Sequence, residues 1–516
     1  MASPNEYQQM ESFILAKVNN PQFTNEKLDQ LEKEPSCYLQ HKLFIEISNN
    51  PYVLVYCTNY ISVLVRKDSP IWNAQILAEI FEWIPDVIQK KAEILFQFQK
   101  QFRIVIIDYL CVLYTYILSK LWDTNSQLAN FFITIANIIP DSDPHHRELR
   151  YSFFAKVINE IQDTQNIYAQ KIKTKILADK NDASLFNLFM DVVNSNFQGV
   201  LDFSQANTIQ ASLELLLAIL CFYKKKQNST KSDTDENALY FCDLTLNFKD
   251  VLTDANFIST LFSLFNFSKA ENSKEIIKNL LKVILEIISV KESYFPNIKD
   301  KLSLIVPIVT NLTQLIQMDI LRDSDVFLLS SQVIYKLSLL VSNNNVIMNM
   351  QDQLFSFLSV LREILAPYLT DTNLFVSNNE SIINFIKFWT TIISKNSSIV
   401  QFKEMSFPLF QSYIQTLLKS SSELPDEMIE ILGLDKYIIC EQIKVMPVLL
   451  KTDFAALGIL LETASRQVFE SYKNIIINKR IDNMDQFHAC DVQMAIYILI
   501  MTVGLSSILT KDNIRK

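Results

Sequence analysis

Apolar residues recur along almost the whole chain at three- and four-residue intervals. Ile209, Leu213, Leu216, Leu217 and Leu220 line one face of a 3.6-residue helix, and Ile276, Leu280, Val283, Ile284 and Ile287 do the same. Ile382, Phe385, Ile386, Trp389 and Ile393 form a third stripe, and Leu457, Leu461, Ala464, Val468 and Tyr472 a fourth. The stripes are interrupted at Pro, Asn, Asp and Ser, as in Asn49-Asn50-Pro51, Asp68-Ser69-Pro70, Pro140-Asp141-Ser142-Asp143-Pro144 and Tyr294-Phe295-Pro296. The pattern predicts roughly twenty helices of about 12–22 residues joined by short connections, with no strand.

Helices of this kind bury their apolar faces when successive hairpins stack on one another. Val283-Ile284, Val333-Ile334 and Phe385-Ile386 hold comparable places 50 and then 52 residues apart, a spacing compatible with HEAT-type helix pairs at the long end of their range. The expected fold is therefore all-α, an α-solenoid of HEAT-like helix-pair repeats running as one continuous array over residues 1–516. Residues 224–237, KKKQNSTKSDTDEN, have no apolar periodicity and read as a flexible polar loop between repeats. Its three lysines fit either a solvated helix end or a localisation signal.

Composition narrows the chemistry. The 516 residues include four glycines, Gly199, Gly433, Gly458 and Gly504, no two closer than 25 residues. Walker loops and dinucleotide fingerprints need glycines a few residues apart so that backbone amides can approach phosphate, so both are excluded. The net charge of −9 gives the chain as a whole no electrostatic reason to bind nucleic acid. Seven dispersed cysteines, Cys37, Cys57, Cys111, Cys221, Cys242, Cys440 and Cys490, form no C-x-x-C and read as buried reduced thiols. His41, His145, His146 and His488 do not fall at zinc spacing, and His145 and His146 read as first-turn surface residues. No G-x-S-x-G, H-E-x-x-H or calcium-loop pattern is present. Asp141, Asp143, Glu148 and Glu160 read as solvent-facing acids or as charges near helix N-termini. No catalytic residue, metal or cofactor is expected.

One segment is apolar enough to test for a membrane span. Val492 to Thr510 has no charge over 19 residues, about the length that crosses a bilayer, yet Gln493, Thr502, Ser506 and Ser507 interrupt it. It is expected to be a buried repeat helix, and no membrane insertion is expected.

Several segments resemble a known family. Glu34 to Phe44, EPSCYLQHKLF, then Tyr52 to Lys67, YVLVYCTNYISVLVRK, a proline and Trp72, resemble the first HEAT repeats of importin-β-type karyopherins. Asp182 to Phe189, Phe385 to Ser394, Leu460 to Ile476 and Val492 to Gly504 are similar to helices of the exportin-7 (Ran-binding protein 16) branch. Members of that family are much longer, and the chain resembles their N-terminal half. The resemblance implies a nuclear transport receptor that binds Ran in its GTP form, protein cargo and FG-repeat nucleoporins while shuttling between nucleus and cytoplasm. Residues 20–122 correspond to the Ran-binding region. Arg66 and Lys67 match the place of Ran-facing residues there, although cations at a helix C-terminus also offset the helix dipole. A HEAT-repeat scaffold that assembles other proteins without nucleotide dependence requires the same stacked helices and is the second expectation.

Overall fold

The computed structural model describes residues 4–67, 69–122, 143–162, 167–178, 183–197, 205–226, 240–265, 273–290, 294–317, 323–341, 343–395, 400–432, 444–452, 454–477 and 484–509. Among these are 24 α-helices and one pair of short strands, so the chain is all-α. Asparagine and aspartate start many of the helices. The side chains of Asn25, Asn50, Asn73, Asp254, Asn343 and Asp371 each accept a backbone N–H of the first turn that has no partner within the helix. Several helices end without glycine: at Glu34, Ser48, Lys67 and Phe98 the backbone turns to an extended conformation.

The chain divides into two compact units. The first holds residues 1–227 and 241–248, and the second holds 228–240 and 249–516. The first unit begins with α1 (Pro4–Asn19), α2 (Glu26–Lys33), α3 (Tyr38–Ile47) and α4 (Pro51–Arg66). There follow α5 (Ala74–Gln97), α6 (Lys100–Leu121), α7 (Pro144–Gln162), α8 (Ile167–Ala178), α9 (Ser184–Asn196) and α10 (Ala206–Phe222). Two residues join α5 to α6, which pack on each other, so the chain folds straight back there. Helices α4, α6, α7 and α10 lie side by side in that order. They run parallel: Tyr52 meets Phe102 near the starts of α4 and α6. Thr208 donates to the Pro144 carbonyl at the starts of α10 and α7, and Gln162 donates to the Ala218 carbonyl near their ends.

In the second unit, α13 (Ser273–Ile288), α15 (Ser324–Val341) and α19 (Asn379–Lys395) form one row. A second row contains α12 (Ala255–Ser263), α14 (Ile298–Leu315), α17 (Gln351–Tyr368) and α20 (Val400–Glu423). Short helices complete this unit: α11 (Lys249–Leu252), α16 (Asn344–Asn349), α18 (Thr372–Ser377), α21 (Pro425–Leu432) and α22 (Met446–Thr452). It ends with the long pair α23 (Phe454–Ile477) and α24 (Met484–Leu509). Asn384 donates to Ser331, Gln351 to Gln401 and Thr416 to the Leu369 carbonyl, each spanning about one repeat of sequence. The dipeptides Val283-Ile284, Val333-Ile334 and Phe385-Ile386 all lie buried in the first row, so their spacing is that of the helix pairs.

Three expectations change. Lys224–Lys226 is not a helix end or loop: it forms β1, paired with β2 (Tyr240–Cys242), and Lys225 is ion-paired with Asp243 at 2.6 Å. The rest of the predicted loop, 227–237, lies outside the described residues. Helix lengths run from 4 to 26 residues, wider than expected. The apolar C-terminal run is helical but not buried all round. Lys100–Leu121, Ser324–Val341 and Asp485–Val503 are each long and apolar enough to cross a membrane. The first two are 56% and 61% buried within the protein, the last only 22%.

Candidate functional site

Arg66 is the last residue of α4 and Lys67 its C-cap, the helix-end position at which the sequence placed both. Arg66 is exposed, and its Nε donates to the Ser62 carbonyl one turn back at 2.9 Å. Lys67 reaches a different helix: its Nζ donates to the Glu32 and Lys33 carbonyls, each at 3.2 Å. Those carbonyls close α2, so Lys67 satisfies acceptors that α2 cannot satisfy itself. The neighbouring layer is aromatic. The Tyr56 hydroxyl donates to Glu32 at 2.8 Å, and the rings of Tyr56 and Tyr60 lie 4.6 Å apart. His41 packs against both, and its Nε2 donates to the Leu31 carbonyl at 2.8 Å. Burial lowers its pKa to about 4, so the ring is neutral at physiological pH.

A groove of about 200 Å³ crosses α6, α7 and α10 of the first unit. Each helix presents one face at helical spacing: Lys100, Arg103 and Ile107 from α6, Glu148, Ser152 and Lys156 from α7, Asn207, Gln210 and Glu214 from α10. Because the three helices are parallel, all of these residues but Lys156 come from their N-terminal halves. Arg103 and Glu148 form a buried ion pair at 2.7 Å, and the Arg103 guanidinium sits 4.1 Å from the centre of the Phe96 ring. Burial raises the Glu148 pKa, and the Arg103 charge opposes that rise. Lys156 pairs with Asp108, and Gln210 donates to Glu214 at 3.0 Å.

Glu148 does lie near the N-terminus of α7, as one of its two expected placements had it, but it is buried in an ion pair rather than solvent-facing. Asp143 does sit at a helix start, where its side chain accepts from the His145 and His146 backbone amides. His145 and His146 are accordingly first-turn residues of α7; the His145 ring packs tilted against Phe96 with ring centres 4.1 Å apart, and His146 Nδ1 is bonded to Asp143. Glu160 is half-buried near the end of α7, and Asp141 lies outside the described residues.

The six described cysteines form no disulfide among the described residues, and all but Cys221 are buried. No cluster of three metal-ligating side chains occurs among the described residues. The groove holds one hydroxyl, Ser152, with no imidazole or thiol lining it, and its buried carboxylate is tied to arginine. Alternating charges and amides of this kind suit recognition of a polypeptide's polar groups. No signal within a helical turn marked the groove as a site, since its two ion pairs join residues 45 and 48 positions apart and the Gln210–Glu214 pair within α10 is ordinary helical spacing.

Comparison with models of protein families and with curated proteins finds no match to the sequence.

Proposed function

We propose that the chain is a nuclear transport receptor of the importin-β type, binding Ran-GTP and protein cargo and contacting FG-repeat nucleoporins as it shuttles through the nuclear pore. The observation that carries this reading is the arrangement of α4 in the first unit. The segment that resembles the Ran-binding repeats forms the first member of a row of parallel helices, with the Arg66 guanidinium exposed at its end. The row continues into a groove of charges and amides suited to protein recognition. A solenoid couples such sites by reciprocal linkage, typically about 1–3 kcal/mol, because ligands that favour the same arrangement strengthen one another. On this reading the chain hydrolyses no nucleotide itself.

A second reading, a HEAT-type scaffold indifferent to nucleotide, draws on Lys67. Its ammonium is engaged in capping α2, which gives it a structural reason to be there.

Charge reversal separates the two. Arg66→Glu with Lys67→Glu is expected to weaken Ran-GTP binding at least tenfold, measured by titration, while Lys67→Met alone changes thermal stability more than affinity. Unchanged affinity in the double variant would remove both residues from the Ran site.

A further inference from the structure

We infer that the chain self-associates through helix α23, paired antiparallel with the same helix of a second copy across a twofold axis. The helix buries Leu457, Leu461 and Val468 against its own unit. Its opposite side carries Ile459, Glu462, Arg466, Phe469, Glu470, Lys473 and Ile477. At 100° per residue these seven fall within a sector of about 100°, with Ile459, Glu462, Arg466, Phe469 and Lys473 following the alternating 3–4 spacing of a coiled-coil seam.

The apolar members are far more exposed than core-type residues of a closed surface: Ile459 is 65% exposed, Phe469 58% and Ile477 63%. The charged members are all at least half exposed. Among the described residues they pair only within the helix, Arg466 with Glu462 at 2.6 Å and Lys473 with Glu470 at 3.7 Å. Such exposed pairs exchange partners at little cost.

The order of these residues identifies the occupant. Reversing the helix about the level of residue 468 brings Ile459 onto Ile477 of the second copy and Arg466 onto its Glu470. Glu462 then falls beside its Lys473, and Phe469 lies next to the axis, against its own counterpart. Every apolar residue meets an apolar one and every charge an opposite one, which is what an isologous interface requires. Parallel pairing would set Glu462 on Glu462 and Lys473 on Lys473. An unrelated helix would have no reason to match this mirror order.

One helix pair is a small interface, so a Kd on the order of 10 μM is expected. The test is sedimentation equilibrium of the full chain up to about 100 μM, roughly ten times that Kd. The wild type should pass from 59.7 kDa to twice that mass. Two variants make the stripe single-signed: Glu462→Lys with Glu470→Lys, and Arg466→Glu with Lys473→Glu. Each should stay at the monomer mass with unchanged circular dichroism, and an equimolar mixture should return to the dimer mass. Phe469→Cys should cross-link to itself on oxidation. A wild type that stays monomeric throughout would overturn the proposal. So would a dimer that survives both charge reversals, or a mixture that fails to re-associate, since either would place another occupant on the stripe.

Discussion

At the scale of single residues, the account rests on side chains that are buried with their charges or hydrogen bonds matched. Arg103 and Glu148 illustrate the consequence. Removing one partner leaves the other charge in a poorly hydrated site, so Arg103→Met should lower stability by about 3–5 kcal/mol in urea denaturation. Adding Glu148→Gln should recover much of that loss; if it recovers none, packing of Arg103 on Phe96 is the larger contribution. His41 gives a pH signature. Its folded pKa is about 4 against an ordinary value near 6.5, so below pH 6.5 the unfolded chain takes up a proton that the native state refuses. The native state is thus favoured most above pH 6.5 and loses about 3 kcal/mol as the pH falls toward 4. His41→Phe should lose this acid sensitivity relative to the wild type, measured as the difference in urea midpoint between pH 7 and pH 4.5. None of these partnerships was legible in the sequence. Arg103 and Glu148 are 45 positions apart, and Lys67 reaches a carbonyl 35 positions away, so no spacing within a helical turn announces either pair.

At the scale of elements, sequence and structure agree where local pattern decides. The four quoted stripes all lie on helices, and Asn50-Pro51 starts α4 as a side-chain cap followed by a proline in the first turn. Pattern failed where a distant partner decides. Lys224–Lys226 has no strand alternation, and it becomes a strand because residues 240–242 supply the other edge. The repeat was legible in the second unit, where spacings of 47–53 residues agree with the 50 and 52 read from the apolar dipeptides. In the first unit the contacts between helices have no single spacing: several span 41–45 residues, while α7 and α10 are joined across 56 and 64, so no fixed period was there to read. Helix α23 offers a direct test of local energetics. A Cβ at Gly458 would meet nothing within 4 Å, so Gly458→Ala should stabilise the helix by about 1 kcal/mol, raising the thermal midpoint of the second unit. A lowered midpoint would mean that this position needs glycine for a reason other than space.

At the scale of the whole molecule, each unit is built by laying helix pairs against their predecessors, which multiplies surface and leaves function to be carried by exposed faces. The row beginning with α4 carries the transport reading, and the free stripe of α23 carries the self-association. These are independent, since a monomeric receptor and a dimeric scaffold are both compatible with the fold. If the proposed transport function holds, the chain distinguishes the nucleotide states of Ran. The most direct test is a titration of the purified full chain with Ran locked in its GTP form, run in parallel with the GDP form. Binding of the GTP form with at least tenfold preference is the result this account predicts. Equal binding of both forms, or none by a folded helical sample, would contradict it and leave the nucleotide-independent scaffold.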